Sequence, residues 1–184
     1  FLRERLKLAR GERLLVIGAS GAVGSAAVQI GRALGAHVTG VASAGNHDLL
    51  HRIGAEAVRD YRDWSPGDDG AVFDVILDTT GQVGIDAAAQ GLRPGGRLGL
   101  VVGDVPLMLR LPFIRLGQGR KVLAGTAPER RDDLLALAAM AEQGLFRPVV
   151  GSVTPLDRIV EAHRITDSGH KVGSAVVRVA ADPA

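Results

Sequence analysis

Apolar positions along this chain alternate between short unbroken runs and helix-spaced patterns. Leu14-Leu15-Val16-Ile17 is a run of strand length closed by Gly18, and from residue 21 the apolar positions take helical spacing until Gly35. The exchange then repeats, with a strand over 37–42, a short helix over 46–53, a small strand over 57–59, a strand over 72–77 and a helix over 84–90. Arg93-Pro94-Gly95-Gly96 reads as a turn ahead of a strand over 97–102. A sixth strand over 121–125 precedes an amphipathic helix over 129–143 that starts after Pro128. Residues 62–70 are polar and turn-rich, so the helix expected there is short or missing. Beyond Gly144 the pattern predicts a strand over 149–153, a helix over 156–167, a strand over 174–179 and a frayed tail at 181–184. Continuous apolar strands alternating with helices specify an α/β fold with a doubly wound parallel sheet.

The first strand-to-helix junction carries the main chemical signal. Gly18, Gly21 and Gly24 stand at three-residue spacing between the apolar run and the helical pattern. In the strict GxGxxG register of dinucleotide-binding loops the first glycine is replaced by Ala19, so the match is GxxGxxG. In that reading Gly18 turns the chain off the strand, Gly21 lets phosphate oxygens approach the main chain, and Gly24 lets the helix pack close. The free N–H groups and positive dipole end of the new helix would hold an anion.

Composition narrows the options. A chain of 184 residues suits one domain with at most an appendage, and 46% hydrophobic residues suffice for a sizeable core. Only 3% are aromatic, so Val, Leu, Ile and Ala must fill that core. A formal charge of +2, with arginines scattered along the chain, gives no nucleic-acid footprint despite a pI near 9.5. The absence of cysteine excludes disulfides and thiolate zinc sites and suits a reducing, cytoplasmic setting. The apolar stretch 98–116 is broken by Asp104, Pro106, Arg110 and Pro112, so it reads as no membrane span. A start at Phe1 reads as a piece of a longer polypeptide.

The order of these parts resembles the cofactor-binding Rossmann domain of the medium-chain dehydrogenase/reductases, in their zinc-independent quinone oxidoreductase-like branch. The resemblance rests on Gly11 to Gly24, Ala27 to Ala36, Arg52-Ile53-Gly54-Ala55-Glu56, Asp60-Tyr61, Phe73 to Asp78 and Leu92 to Leu98. Arg147-Pro148-Val149-Val150, Pro155-Leu156, Glu161-Ala162-His163-Arg164 and Ser168 to Gly173 extend it. It implies an NAD(P)-binding domain over 11–146 and a return segment over 147–180. Residues 1–10 would end the helix that joins this domain to an N-terminal barrel-like domain, which would precede Phe1. The return segment would pack partly on that missing domain, so the chain alone should expose apolar surface. The resemblance also implies homodimers paired edge to edge through strand 121–125, from Lys121 to Gly125.

The cofactor is read from the end of the second strand. NAD-specific sites place Asp or Glu there for the ribose hydroxyls, whereas here stands neutral Ser43. A carboxylate beside a 2′-phosphate would cost on the order of a few kcal/mol at an effective dielectric near 20. Its absence permits NADPH, although no Lys or Arg follows in Ala44, Gly45, Asn46 and His47. Tyr61 matches a family tyrosine near the adenosine phosphate, and Ser43 can donate a hydrogen bond. These residues together point to NADP(H) over NAD(H). The candidate cofactor residues are Gly18, Ala19, Ser20, Gly21, Ala22, Val23, Gly24, Ser43, Asn46 and Tyr61, with Thr79, Thr80, Val102 and Gly103 at the nicotinamide end. Asp78 reads as a cap or turn residue, and no catalytic residue can be named.

The implied chemistry is hydride transfer between nicotinamide and a quinone, enone or carbonyl, with the protein orienting the partners and excluding water. No metal is expected, since the histidines lack ligand spacing; His47 and His51 at i,i+4 could only share a helix face. Ser20 is not in a GxSxG elbow, because position 22 is Ala22. Two other classes compete. A catalytically inactive nucleotide-binding module would keep the fold without turnover. An S-adenosylmethionine-dependent methyltransferase shares the Leu92–Leu98 pattern but calls for an acidic residue where Ser43 stands.

Overall fold

The computed structural model describes residues 1–101, 109, 114, 116–125, 130–169 and 171–179. Six parallel strands, β1 (Arg13–Ile17), β2 (His37–Val41), β3 (Ala57–Arg59), β4 (Phe73–Asp78), β5 (Leu92–Leu100) and β6 (Lys121–Ala124), form one sheet in the order β3-β2-β1-β4-β5-β6. This is the doubly wound order in which the winding reverses between β1 and β4. Helices α1 (Ala22–Ala33), α2 (His47–Arg52) and α3 (Ile85–Gly91) connect its strands, and α4 (Arg131–Glu142) follows β6. A separate two-stranded parallel sheet pairs β7 (Val150–Pro155) with β8 (Ser174–Arg178), joined through α5 (Ile159–Asp167).

The continuous apolar strands are buried on both faces. Along β1, Leu14 and Val16 point into one core with Val38, Val75, Leu77 and the α1 residues Ala27 and Val28. Leu15 and Ile17 point into the other, with Phe73, Ile76, Leu92 and Leu98. Period-two alternation thus survives inside an unbroken apolar run because each face has its own layer of cover.

Several elements differ from the sequence expectation. Residues 1–8 form a single turn, with the Arg5 and Leu6 amides donating to the Phe1 carbonyl at 3.0 and 3.1 Å, rather than the end of a helix. Leu2 and Leu6 nevertheless lie in the first core, where Leu6 packs on Gly99. The Arg93–Gly96 turn is not a connection before the strand but an outward excursion within β5. Leu92 pairs with Phe73 and Arg97 with Val75, and the Gly95 amide bonds the Gln118 carbonyl at 2.8 Å. As expected, residues 62–70 hold no helix; Asp69 bonds both Arg59 and Trp64 there, and the Trp64 ring meets Phe73 edge-on. Helix α4 buries no residue and leaves Leu134 and Leu135 exposed. The start expected for it at 128–129, and the tail 181–184, fall outside the described residues.

Three close approaches tie the molecule together. Gly24 sits against the loop its own helix has just left, where a Cβ would overlap the Gly18 carbonyl oxygen. Farther along α1 the buried Gln29 side chain grips the return segment, accepting the Arg147 amide at 2.8 Å and donating to the Arg147 carbonyl at 3.0 Å. At the far end of that segment the Gly173 amide donates to the Ser20 carbonyl at 2.7 Å.

Gly24→Ala is therefore expected to destabilise the chain by about 1–3 kcal/mol, because backbone rather than a flexible side chain must move. Gln29→Leu is expected to cost about 1–2 kcal/mol by leaving the Arg147 main chain without partners. Thermal unfolding checks both, and a wild-type Tm in either variant would refute its argument. Faster hydrogen exchange at Arg147 in Gln29→Leu would localise the second effect.

Candidate functional site

The register aligns the carboxyl ends of the central strands. Ile17 lies beside Val41 and Asp78, and Val41 lies beside Arg59. The loops after β1, β2, β3 and β4 therefore open on one edge of the sheet, at the β1/β4 reversal where α/β sheets form their crevice.

The loop after β1 turns through Gly18, whose φ of +75° lies in the left-handed region open to glycine. A Cβ on Gly18 would also meet Thr79 and Thr80 at 2.6 and 2.5 Å, so this glycine lets the loops after β1 and β4 touch. The Gly18 and Ala19 amides both donate to the Val41 carbonyl, and the Gly21 amide donates to the Gly18 carbonyl. Those three donors are spent on shaping the loop. The helical ladder begins only with the Ser25 amide on the Gly21 carbonyl. Ala22, Val23 and Gly24 thus keep amides with no acceptor inside the helix, and no side chain caps them. With the dipole of a 12-residue helix behind them, these amides suit an anion. That donor set fits the pyrophosphate of a dinucleotide.

The candidates of this loop separate into roles. Ala19 is fully buried and packs on Gly40, so its side chain belongs to the core, and the substitution for the first glycine of GxGxxG is a packing choice. The Ser20 carbonyl holds Gly173. Gly21 and Ala22 are half-buried, and Val23 is 50% exposed at the mouth of the crevice.

After β2, Ser43 begins a short 3-10 turn (Ala44–Asn46), and its hydroxyl accepts the Asn46 side-chain amide at 3.0 Å. Sequence reasoning missed what stands beside them. The Asp60 carboxylate, at the end of β3, accepts the Ala44 amide at 2.9 Å and the Arg62 amide at 3.0 Å. The Arg62 guanidinium lies 3.8 Å from that carboxylate and over the exposed Tyr61 ring, 5.7 Å from its centroid. The Arg62 amide is the main influence holding the Asp60 carboxyl below the usual carboxylate range. Partial burial opposes it, while the Ala44 amide and the charges of Arg62 and His47 reinforce it. The charged pair flanking Tyr61 was the available signal.

At the end of β4 the buried Asp78 carboxylate accepts the Thr80 amide and hydroxyl and the Gly81 amide through Oδ1. Asp78 is thus a turn-former, and its Oδ2 has no partner among the described residues. The Thr79 hydroxyl donates to the Ile17 carbonyl at 2.8 Å. Both threonine protons are committed within the protein, so toward a ribose these hydroxyls can only accept. Val102 and Gly103 lie outside the described residues. Among the described residues no three His, Asp or Glu side chains gather as a metal site. His47 and His51 turn instead to the carbonyls of Ala42 and Ala55.

Comparison with known proteins places the chain in a family. A family profile described as zinc-binding dehydrogenase matches residues 53–177. The chain is 29% identical to the mitochondrial NAD(P)H oxidoreductase RTN4IP1 of Mus musculus, over 94% of this chain and 49% of that protein. It is 32% identical to acryloyl-coenzyme A reductase of Metallosphaera sedula, over 94% and 52% of the two chains. It is also 32% identical to quinone oxidoreductase of Sus scrofa, over 83% and 50%. The solved quinone oxidoreductase of Coxiella burnetii superposes with a TM-score of 0.83 at 22% identity, covering 97% of this chain and 56% of that one, a likeness of fold. The chain spans about half the length of the curated relatives it matches. It belongs to the zinc-binding dehydrogenase family, as a quinone oxidoreductase-like Rossmann domain of the medium-chain dehydrogenase/reductases.

Proposed function

We propose that this chain binds NADP(H) in preference to NAD(H), as the cofactor domain of an enzyme that passes hydride to a quinone, enone or carbonyl. The observation that carries the reading is the start of α1 at the sheet's reversal point, which no side chain caps and whose first amides have no acceptor inside the helix. The preference for the 2′-phosphate rests on neutral Ser43 and on Arg62, a cation delivered beside Tyr61 from the β3 loop. Asp60 counterbalances Arg62 and tempers that preference.

The bound dinucleotide supplies the hydride; the chain's own residues anchor its phosphates and shape the crevice. Relatives named for a quinone and for acryloyl-coenzyme A share a chemical denominator, an electron-poor carbon–carbon double bond conjugated to a carbonyl. That supports a conjugated acceptor as the substrate class. Val150, Val153, Leu156 and Val160 are exposed on the return segment, and an N-terminal domain is the cover we propose for them. The outer edge of β6, paired only with β5 among the described strands, is proposed to join a second copy.

Titration of nicotinamide fluorescence is expected to show saturable binding of both dinucleotides, with NADPH tighter by roughly tenfold, about 1.4 kcal/mol. Tighter NADH would overturn the preference, and no binding of either would overturn the function. Arg62→Gln is expected to erase most of the NADPH advantage while leaving NADH within about twofold, since the lost contact serves only the 2′-phosphate. Sedimentation is expected to show a concentration-dependent dimer; a monomer at every concentration would exclude the β6 pairing.

A further inference from the structure

The opposite end of α1 carries a second constellation, some 18 Å along the helix from the glycine loop at 1.5 Å per residue. Arg10, Arg32, Arg52 and Arg147 line one open cleft of about 620 Å³. They come from four separate segments: the turn before β1, the last turns of α1 and α2, and the stretch after α4. No Asp or Glu lines the cleft. Among the described residues none of these four guanidinium groups has a hydrogen bond or ion pair. Arg59, Arg93, Arg97 and Arg158, by contrast, each hold a carboxylate.

Helix dipoles account for two of the four, because Arg32 and Arg52 lie where a helix C-terminus favours a cation. They do not account for Arg10 and Arg147, which lie on no helix. Arg147 is also held in place, since the buried Gln29 amide grips its main chain on both sides. The four guanidinium groups share one cleft with no carboxylate among its lining residues, so their like charges exert a mutual repulsion, screened by solvent because all four residues are exposed. An anion that meets several guanidinium forks at once removes it, and planar guanidinium suits phosphate oxygens pairwise. The cleft also has an apolar wall, including Ile53 and Leu145, the latter 49% exposed. Its volume is that of small-molecule sites.

We propose that this cleft binds a small molecule bearing two or more phosphates, held by Arg10, Arg32, Arg52 and Arg147, with its organic part against Ile53 and Leu145. Occupancy would cross-link the ends of α1 and α2 to the 144–149 segment and stabilise the chain by mass action. This site is separate from the proposed cofactor crevice.

The test is calorimetric titration of the 184-residue chain with inorganic tripolyphosphate. The expected result is saturable binding that weakens as salt is raised. The affinity should fall roughly tenfold or more in the Arg32→Gln/Arg52→Gln double variant. Both residues are exposed, so the variant should fold, melting only slightly below the wild type through the lost helix-dipole contacts. Arg62→Gln, in the cofactor crevice, should leave tripolyphosphate affinity within about twofold. No saturable binding at millimolar tripolyphosphate would overturn the proposal. Equal binding by wild type and the double variant would also overturn it, by assigning the anion to the glycine loop instead. Because the readout uses no dinucleotide, failure of the cofactor reading would leave this result intact.

Discussion

The clearance between α1 and the loop that launches it governs this structure. With glycine at 24, the first turn of the helix rests on the Gly18 carbonyl, and a methyl group there would have to displace backbone. That contact fixes where the Ala22, Val23 and Gly24 amides lie relative to β1 and β4. It also sets the path of α1 across the sheet, where Gly31 faces Leu14 and Val38. The proposed anion site and helix–sheet packing thus depend on one feature, the lack of side chains where the helix crosses the strand.

The return segment depends on the same helix. Its β7–β8 pair is not hydrogen-bonded into the main sheet; it reaches the domain at Gln29 through Arg147 and at Ser20 through Gly173. The bridge between Gly21 and Gly173 lies one residue from the helix start. Any shift of the segment is therefore felt at the glycine loop, through a hydrogen bond and not through bulk packing. The exposed apolar side chains of β7 and α5 show how little of its stability comes from burial within the described residues.

Much of the fold could be read from the sequence, because the central strands are short apolar runs and each is followed by a glycine or polar break. Leu14 to Ile17 and Phe73 to Leu77 read as buried strands, and the three glycines marked the junction between β1 and α1. Where the reading fell short, non-local pairing decided. Leu92 joins β5 only because Phe73 pairs with it, and nothing local in Arg93-Pro94-Gly95-Gly96 announces a strand that bulges and resumes. The turn of residues 1–8 is set by Leu2 and Leu6 entering a core built from distant strands. At the site, charge was sought just beyond β2, whereas Asp60 and Arg62 arrive from the neighbouring strand through the Ala44 amide. Ala19 lies in the loop between β1 and α1, and its side chain is buried against Gly40, a contact with the neighbouring strand that local sequence does not show.

The proposed function turns on a dinucleotide phosphate resting on the start of α1. Amide chemical-shift mapping during addition of NADPH tests it most directly, because it reads individual N–H groups. The largest changes are expected at Ala22, Val23 and Gly24, with a second group at Ser43, Tyr61 and Arg62. Saturable binding that leaves the α1 amides unmoved, with changes confined to β7, β8 and α5, would contradict it.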